Sequence, residues 1–575
     1  MVDRRTFLRA ALYGGVVGTA AWRAGALTAQ SGALLYNGIR LPDSWPPLRD
    51  LATMDQELRP PYLVAPPQVI PIDVGRQLFV DDFLIEESSL RRVFHSATYE
   101  PHNPILTPTE PWERVDDAAD RNHEPMRQAA MVYSDGVVFD PIDRLFKMWY
   151  QASYGGVTCH AVSEDGHAWR KPVLDVVPGT NIVLNEPRDS STVWLDHEDR
   201  DAQRRYKAML YMGRDRRVHL HGSPDGVHWL PLGVGGPSGD RSTMFYNPFR
   251  RVWVFSIRDD DIRNKDGTKI AGRYRRYWES PMFGGPSTWD EHSAVPWVAA
   301  DHSDRARADL RSMPELYNLD CVAYESVLLG LFTMYYGQGS DRHKPNDLRV
   351  GFSRDGFHWT RAREPFLAVS EHRGDWNWTN VQSAGGCCLV VGDTLYFYVS
   401  GRSGVPKTSS AGVCATGLAT LRRDGFASLE DAETAAASSV GRLSRPHSIT
   451  TRPVRFEGAW LFVNADVRRG ELRVEILDRA GRVIPPFTAA RCVPIRGDST
   501  RQSVAWSGAP SLSELAGHTV RFRIYVRSGR LFSFWVSHSP QAESNGYVAA
   551  GGPGFDSAVD AEPTQNIGER HAPTP

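Results

Sequence analysis

The sequence predicts an all-β protein, a five-bladed β-propeller followed by a β-sandwich domain. The first observation is a repeat: Trp169, Trp229, Trp289 and Trp359 recur every 60 to 70 residues. The second is the phrase that three of them share. It reads Ser163-Glu-Asp165-Gly166-His-Ala-Trp169, Ser223-Pro-Asp225-Gly226-Val-His-Trp229 and Ser353-Arg-Asp355-Gly356-Phe-His-Trp359. A worn copy, Pro286-Ser-Thr-Trp289, stands in the gap, and Arg423-Asp424-Gly425-Phe426 follows as a fifth. An Asp-Gly pair between apolar runs marks a tight turn, because Gly accepts positive φ and Asp hydrogen-bonds its own backbone. The third observation is a change of texture near Arg445, beyond which strand-like segments alternate apolar and polar residues, as in a sheet with one wet face.

In chain order, Asp3-Arg4-Arg5-Thr6-Phe7-Leu8-Arg9 precedes a small-residue apolar run from Ala10 to Ala21 and a cleavage-like Ala24-Gly-Ala26. This resembles a twin-arginine signal, so residues 1–29 are expected to direct export to the periplasm or the exterior. The run is short for a permanent membrane span, and no integral membrane segment is expected in the mature chain. Residues 30–73 are proline-rich and predict an extended lead-in. Leu78 to Ile85 predicts a strand, with closure of the ring against the last blade as its assigned role. Residues 74–444 form the expected propeller. Each unit offers an apolar strand ending in an acidic or Asn turn, a second aromatic strand, and a third running into the Asp-Gly turn. The helical period is nearly absent, and Ala427 to Ser438 is the best helix candidate. Residues 445–553 form the expected sandwich, and 554–575 a polar, disordered tail.

The formal charge of −2 and a pI near 6.8 give no electrostatic case for nucleic acid or an anionic membrane. Six cysteines are scattered without metal-ligand spacing, and adjacent Cys387 and Cys388 are expected on opposite faces of a strand as small core residues. No cofactor is expected. A structural calcium at the channel is the alternative, although no contiguous loop has its ligand spacing.

The inner strands of a propeller converge on a central channel, so residues at their starts crowd onto one funnel-shaped end. Counted back from the turns at Asp140, Asp196, Asn247 and Glu325, Asp135, Ser191, Ser242 and Asp320 share one register. Tyr133, Asp189, Asp240 and Asn318 share the register two residues earlier, hence the same strand face. The fifth unit places Asn377, Asn380 and Gln382 nearby, beside Trp376 and Trp378. Arg188 and Arg241 would orient these carboxylates or hold a carboxylate or sulfate on a sugar. Glu124, in the polar loop Asn122-His123-Glu124-Pro125, joins the expected binding set of Arg188, Asp240, Arg241, Asn318, Trp376 and Asn380.

The repeat, the Asn103-Pro104-Ile105-Leu106 segment, the Ser-x-Asp-Gly-x-x-Trp phrases and the C-terminal strands together resemble five-bladed glycoside hydrolases of families 32, 43 and 68. The tail segments Glu471–Asp478, Gly497–Arg501 and Leu531–Trp535 resemble the family 32 sandwich. The family 32 nucleophile phrase Asn-Asp-Pro-Asn-Gly is not found. Arg188-Asp189 and Asp320-Cys321 only echo its other motifs, so the resemblance implies a divergent branch. It implies Asp135 as base or nucleophile, Asp189 as modulator and Asp320 as acid, with Glu315 or Glu325 in reserve. Glycosidic cleavage needs one protonated and one ionised carboxyl flanking the anomeric carbon. The expected function is thus an exported glycoside hydrolase acting on a poly- or oligosaccharide. The alternatives are a sialidase-like hydrolase, with Arg188, Arg241 and Tyr133 converging, and a non-catalytic carbohydrate-binding propeller.

Overall fold

The computed structural model describes residues 32–115, 127–263, 267–284, 288–290, 292–307, 310, 312–337, 342–408, 410–431 and 447–561. The expected signal segment, Glu124 and the end of the tail lie outside these residues. Among them the only α-helix is the four-residue Pro61–Val64, and strands dominate.

The sequence repeat corresponds to a four-stranded antiparallel sheet. The first sheet holds Ala130–Asp140, Leu145–Ala152, Val157–Ser163 and Ile182–Leu184. The second holds Ser191–Leu195, Tyr206–Met212, Arg217–Ser223 and Leu230–Pro237. The third holds Thr243–Asn247, Val252–Asp259, Tyr274–Ser280 and Val295–Ala299. A ten-stranded sheet follows, in which one antiparallel group begins at Glu315–Glu325 and another at Asn380–Ser383. A single parallel contact, Asn346 to Asn380, joins the two groups. Ala130–Asp140 lies on Ser191–Leu195, that strand on Thr243–Asn247, and that one on Glu315–Glu325. Val327–Tyr335 meets Asn380–Ser383, which returns to Ala130–Asp140.

The Asp-Gly turns explain how neighbours are held. In the second sheet, Asp225 Oδ1 accepts the N–H groups of Val227 and His228 at 2.8 and 2.9 Å, and Ser223 Oγ accepts that of Gly226 at 2.9 Å. Gly226 takes φ +82°, and its carbonyl accepts the Trp149 indole N–H of the preceding sheet at 2.7 Å. A Cβ on Gly226 would lie 2.4 Å from the Trp149 ring, so only glycine permits this approach. The turn at Gly166 docks likewise under the Tyr398 hydroxyl at 2.7 Å, joining the first sheet to the last group. Trp297 donates to the Phe357 carbonyl at 2.7 Å, which ties the third sheet to the next turn. Asp424 departs from this role: it is buried among Arg76, Tyr324, Asn464 and Ser533 rather than capping a surface turn.

Leu78 to Ile85 does not close the ring. Gln77–Leu78 pairs with Arg530–Ser537, Ile85–Ser88 with His447–Thr451, and Arg91–Phe94 with Ala427–Glu430. Closure falls instead to Thr98–Tyr99, which pairs with Cys414–Arg422 through Thr420 and Ala419. The chain thus visits the C-terminal sheets before it enters the ring. For the same reason Ala427–Glu430 is a strand and not the start of a helix, since both its edges are paired; Ala432 to Ser438 lies outside the described residues.

Two C-terminal sheets share one core. One runs Asp498–Ser503, Trp460–Asp466, Arg530–Ser537, Ala427–Glu430 and Arg91–Phe94. The other runs Ile85–Ser88, His447–Thr451, Arg521–Arg527 and Glu471–Leu477. Arg521–Arg527 alternates as expected, with Phe522, Ile524 and Val526 turned inward. Each such side chain contributes about 1.5–3 kcal/mol by leaving water. Phe522 packs on Phe456 at 5.7 Å and on Phe534 at 5.6 Å. The lead-in is anchored by Leu35, Ile39, Leu41, Trp45 and Tyr62, which are buried in the same apolar cluster. All six cysteines are buried and none forms a disulfide, and Cys387 and Cys388 precede the strand Leu389–Val391 instead of lying in it.

Candidate functional site

The first strand of each group begins at the end where the second strand finishes, because the two are antiparallel and connected at the far end. The pairings Ala130–Ala152, Ser191–Leu210, Thr243–Ser256, Glu315–Tyr335 and Asn380–Arg402 fix this common end. Residues there come from two strands per group, twice the set that first-strand register alone provides.

Asp135 and Asp320 are both buried but do not face each other through that register. A bulge between Met131 and Gly136 interrupts it, with Ser134 at φ +63° and Gly136 at φ +141°. Ser134 therefore meets Asp320, its hydroxyl donating at 3.0 Å. Asp320 also accepts from the Asn318 amide at 2.8 Å and the Ser383 hydroxyl at 2.5 Å. Burial pushes its carboxyl up, against the pull of Arg241. Asp135 turns toward the second sheet, where Arg188 Nη2 pairs with it at 2.6 Å and Ser191 Oγ donates at 2.5 Å. Burial raises its carboxyl too, opposed chiefly by Arg188. Both carboxyls are at most 1 % exposed.

Arg241 is buried with φ +59° and donates to the Tyr133 carbonyl at 3.0 Å and to Ser134 Oγ at 2.9 Å. Its guanidinium lies 3.8 Å from the Tyr133 ring centre, a cation–π contact. Two left-handed non-glycine residues, Ser134 and Arg241, are thus bonded to each other. Left-handed backbone costs an L-residue about 1–2 kcal/mol, so the contact network holds both against their preference.

One layer nearer solvent lie Asp189 and Asp240, both half-buried. Burial raises the Asp189 carboxyl and the negative charge of Asp240 raises it further, while Arg241, Lys344 and Arg188 oppose. Asp189 Oδ1 is buried without a hydrogen-bond partner. Asp240 is ion-paired with Arg258, and the Tyr317 hydroxyl lies 3.4 Å from its Oδ2. Tyr133 and Tyr317 adjoin this pair, with Tyr154 beside both rings, and burial pushes the phenols of Tyr133 and Tyr317 upward, helped by Asp189 and Asp240.

The remaining expected residues divide. Asn380 donates to the Lys344 carbonyl at 2.6 Å and accepts from Gln382 at 2.9 Å, which places it at the seam of the last two groups. Trp376 packs over Gly401 and Gly417 and against Tyr99, so it wedges the last group. Glu315 pairs with Arg273 and Lys269. Glu325 sits at the opposite end of its eleven-residue strand, bound to Arg76 and Arg423, far from the strand starts. Ser242 bonds Ser238 at 2.6 Å and stays outside the Asp320 network. Tyr154, Arg258, Lys344 and Arg402 were missed because they end second strands or follow them. The aromatic and basic residues closing those strands were the available signal.

No protein-family model matches this sequence, and no curated protein matches it. Among solved structures, the chain is similar to an N-acetylgalactosamine deacetylase from F. plautii in complex with blood group B trisaccharide, at 15% identity and TM-score 0.35, covering 62% of this chain and 97% of that one. It is also similar to a fructofuranosidase from Schwanniomyces occidentalis, at 11% identity and TM-score 0.33, covering 70% and 94%. An exo-β-1,3-galactanase from Phanerochaete chrysosporium matches at 10% identity and TM-score 0.29, covering 71% and 96%. At such values the functional reading rests on the side chains of this chain alone.

Proposed function

We propose that the chain is an exported glycoside hydrolase, a five-bladed propeller buttressed by a β-sandwich, with its site at the common strand-start end. The observation that carries the reading is the Asp189–Asp240 pair. Two half-buried carboxyls lie just before the adjacent first strands Ser191–Leu195 and Thr243–Asn247; one is raised by burial and further by its neighbour, and the other is ion-paired with Arg258. A protonated carboxyl beside an ionised one is what glycosidic cleavage requires. Asp189 is assigned as general acid, and Asp240 as the ionised partner that acts as base or nucleophile. Asp135 and Asp320, named from the sequence as reacting groups, become the floor: both are sealed from solvent and already engaged by donors. Tyr154, half-buried, offers a ring face to the apolar face of a sugar.

A sialidase-like mechanism gains support from Arg241 over the Tyr133 ring, but Arg188 turns away to Asp135. A tyrosine nucleophile also needs a lowered phenol, whereas burial raises that of Tyr133. Screening of the full chain on arabinan, fructan and sialoside panels tests the reading. Asp189→Asn and Asp240→Asn are expected to abolish cleavage. Activity surviving in both variants refutes the assignment.

A further inference from the structure

We propose that the site carries a subsite for the oxyanion of an acidic sugar, built on Arg402 and Lys344 around Tyr154. The inference rests on the carbohydrate reading above and names its substrate class. Arg402 is 1 % exposed, and none of its three guanidinium nitrogens has a hydrogen-bond partner among the described residues. Its close neighbours are ring faces, Tyr154 at 4.7 Å and Tyr133 at 5.5 Å. Other buried arginines are served by oxygen: Arg76 by Asp424, Arg188 by Asp135, Arg354 by Asp81, and Arg241 by Tyr133 and Ser134.

A guanidinium does not discharge inside a protein, so a buried one without acceptors is costly and calls for an anion. Its planar fork matches a carboxylate or a sulfate bidentately. Lys344 adds a second positive group. Its ammonium lies 3.5 Å from the Tyr154 hydroxyl and makes no ion pair among the described residues. Lys344 also acts on Asp189, which sets this cationic side next to the carboxyl pair. Tyr154, half-buried, stands between the two cations and is followed by Gly155 and Gly156. Nothing lies within 4 Å of where a Gly155 side chain would be, so the turn beside Tyr154 is open on that side. An oxyanion entering there supplies the missing acceptor, and the half-buried Tyr154 is the ring available to its sugar.

Isothermal titration of the full chain with trigalacturonate, 6-sulfated galactotriose and neutral galactotriose tests this. At least one acidic probe is expected to bind tenfold or more tightly than the neutral one, with affinity falling as salt rises. Whichever probe is preferred tells carboxylate from sulfate. Arg402→Gln is expected to bring acidic probes to the neutral level while its ligand-free melting temperature stays equal or rises, since an unpaired buried charge is removed. Should that variant not fold, Lys344→Met, at a half-buried position, is expected to cost several-fold in acidic binding only. Equal binding of acidic and neutral probes, no binding, or parallel loss of both in the variants overturns the subsite. An acidic preference in a protein that cleaves no glycan keeps the subsite and overturns the hydrolase reading. Cleavage confined to neutral glycans does the reverse.

Discussion

Substituting one member of the Asp135–Arg188 pair tests the claim that Asp135 belongs to the floor of the site. Asp135 is fully buried, ion-paired with Arg188 at 2.6 Å, and accepts from Ser191 at 2.5 Å and from the Tyr133 N–H at 3.2 Å. Asp135→Asn keeps the shape but leaves the Arg188 charge without its counter-ion. Losing a neutral hydrogen bond costs about 1 kcal/mol. Stranding a buried charge costs about 3–5 kcal/mol, and that larger figure is expected here. Arg188→Met should cost less, because Asp135 is already raised by burial and escapes its charge by taking a proton. Its folded value then lies above the unfolded one, so the variant loses stability as pH rises from the unfolded value through the folded one, and regains it on acidification. The double variant Asp135→Asn/Arg188→Met is expected near wild type. Urea unfolding followed by tryptophan fluorescence at pH 5 and pH 7 reads all three. A cost below about 1 kcal/mol for Asp135→Asn, or simple additivity in the double variant, refutes a sealed and mutually compensating pair.

Three further outcomes are expected. Asp240→Asn removes the like charge that helps raise Asp189, so any residual activity should lose its alkaline limb at lower pH than wild type, read from kcat/KM profiles. Gly226→Ala adds left-handed strain of about 1–2 kcal/mol and a Cβ 2.4 Å from the Trp149 ring; it should lower the melting temperature and alter near-ultraviolet dichroism, and an unchanged spectrum argues against the docked turn. Asp347 is buried beside the Tyr336 hydroxyl at 3.1 Å and its carboxyl is raised to about 6. The folded state therefore keeps a proton the unfolded chain has released, and stability falls as pH climbs from about 4 to about 6. Asp347→Asn should flatten that slope in unfolding titrations across the window.

The turn phrases were legible in the sequence because their chemistry is local. Ser223, Asp225 and Gly226 satisfy one another within a few residues, and the same letters give the same turn at Ser163 and Ser353. The alternation of Arg521–Arg527 was legible for the same reason. The starts of the first strands were legible only in part. Asp189 and Asp240 lie just before their first strands and act on each other, but the bulge at Ser134 exchanges the roles of Ser134 and Asp135, and no local signal announces it. Arg402 and Tyr154 reach the site from second strands, whose pairing depends on partners in space. Gln77–Leu78 finds its partner more than 450 residues away, a choice made by the shared core and not by its own two residues.

That long-range pairing has a consequence for synthesis. Residues 77–94 leave the ribosome long before Arg530–Ser537, the sheet partner of Gln77–Leu78. The nascent polypeptide must carry these orphan edges through translation of every intervening repeat, exposed to association with other chains. Prematurely terminated products would lack the partner altogether, and premature stop codons before residue 530 should yield insoluble or rapidly degraded material even when every repeat is present.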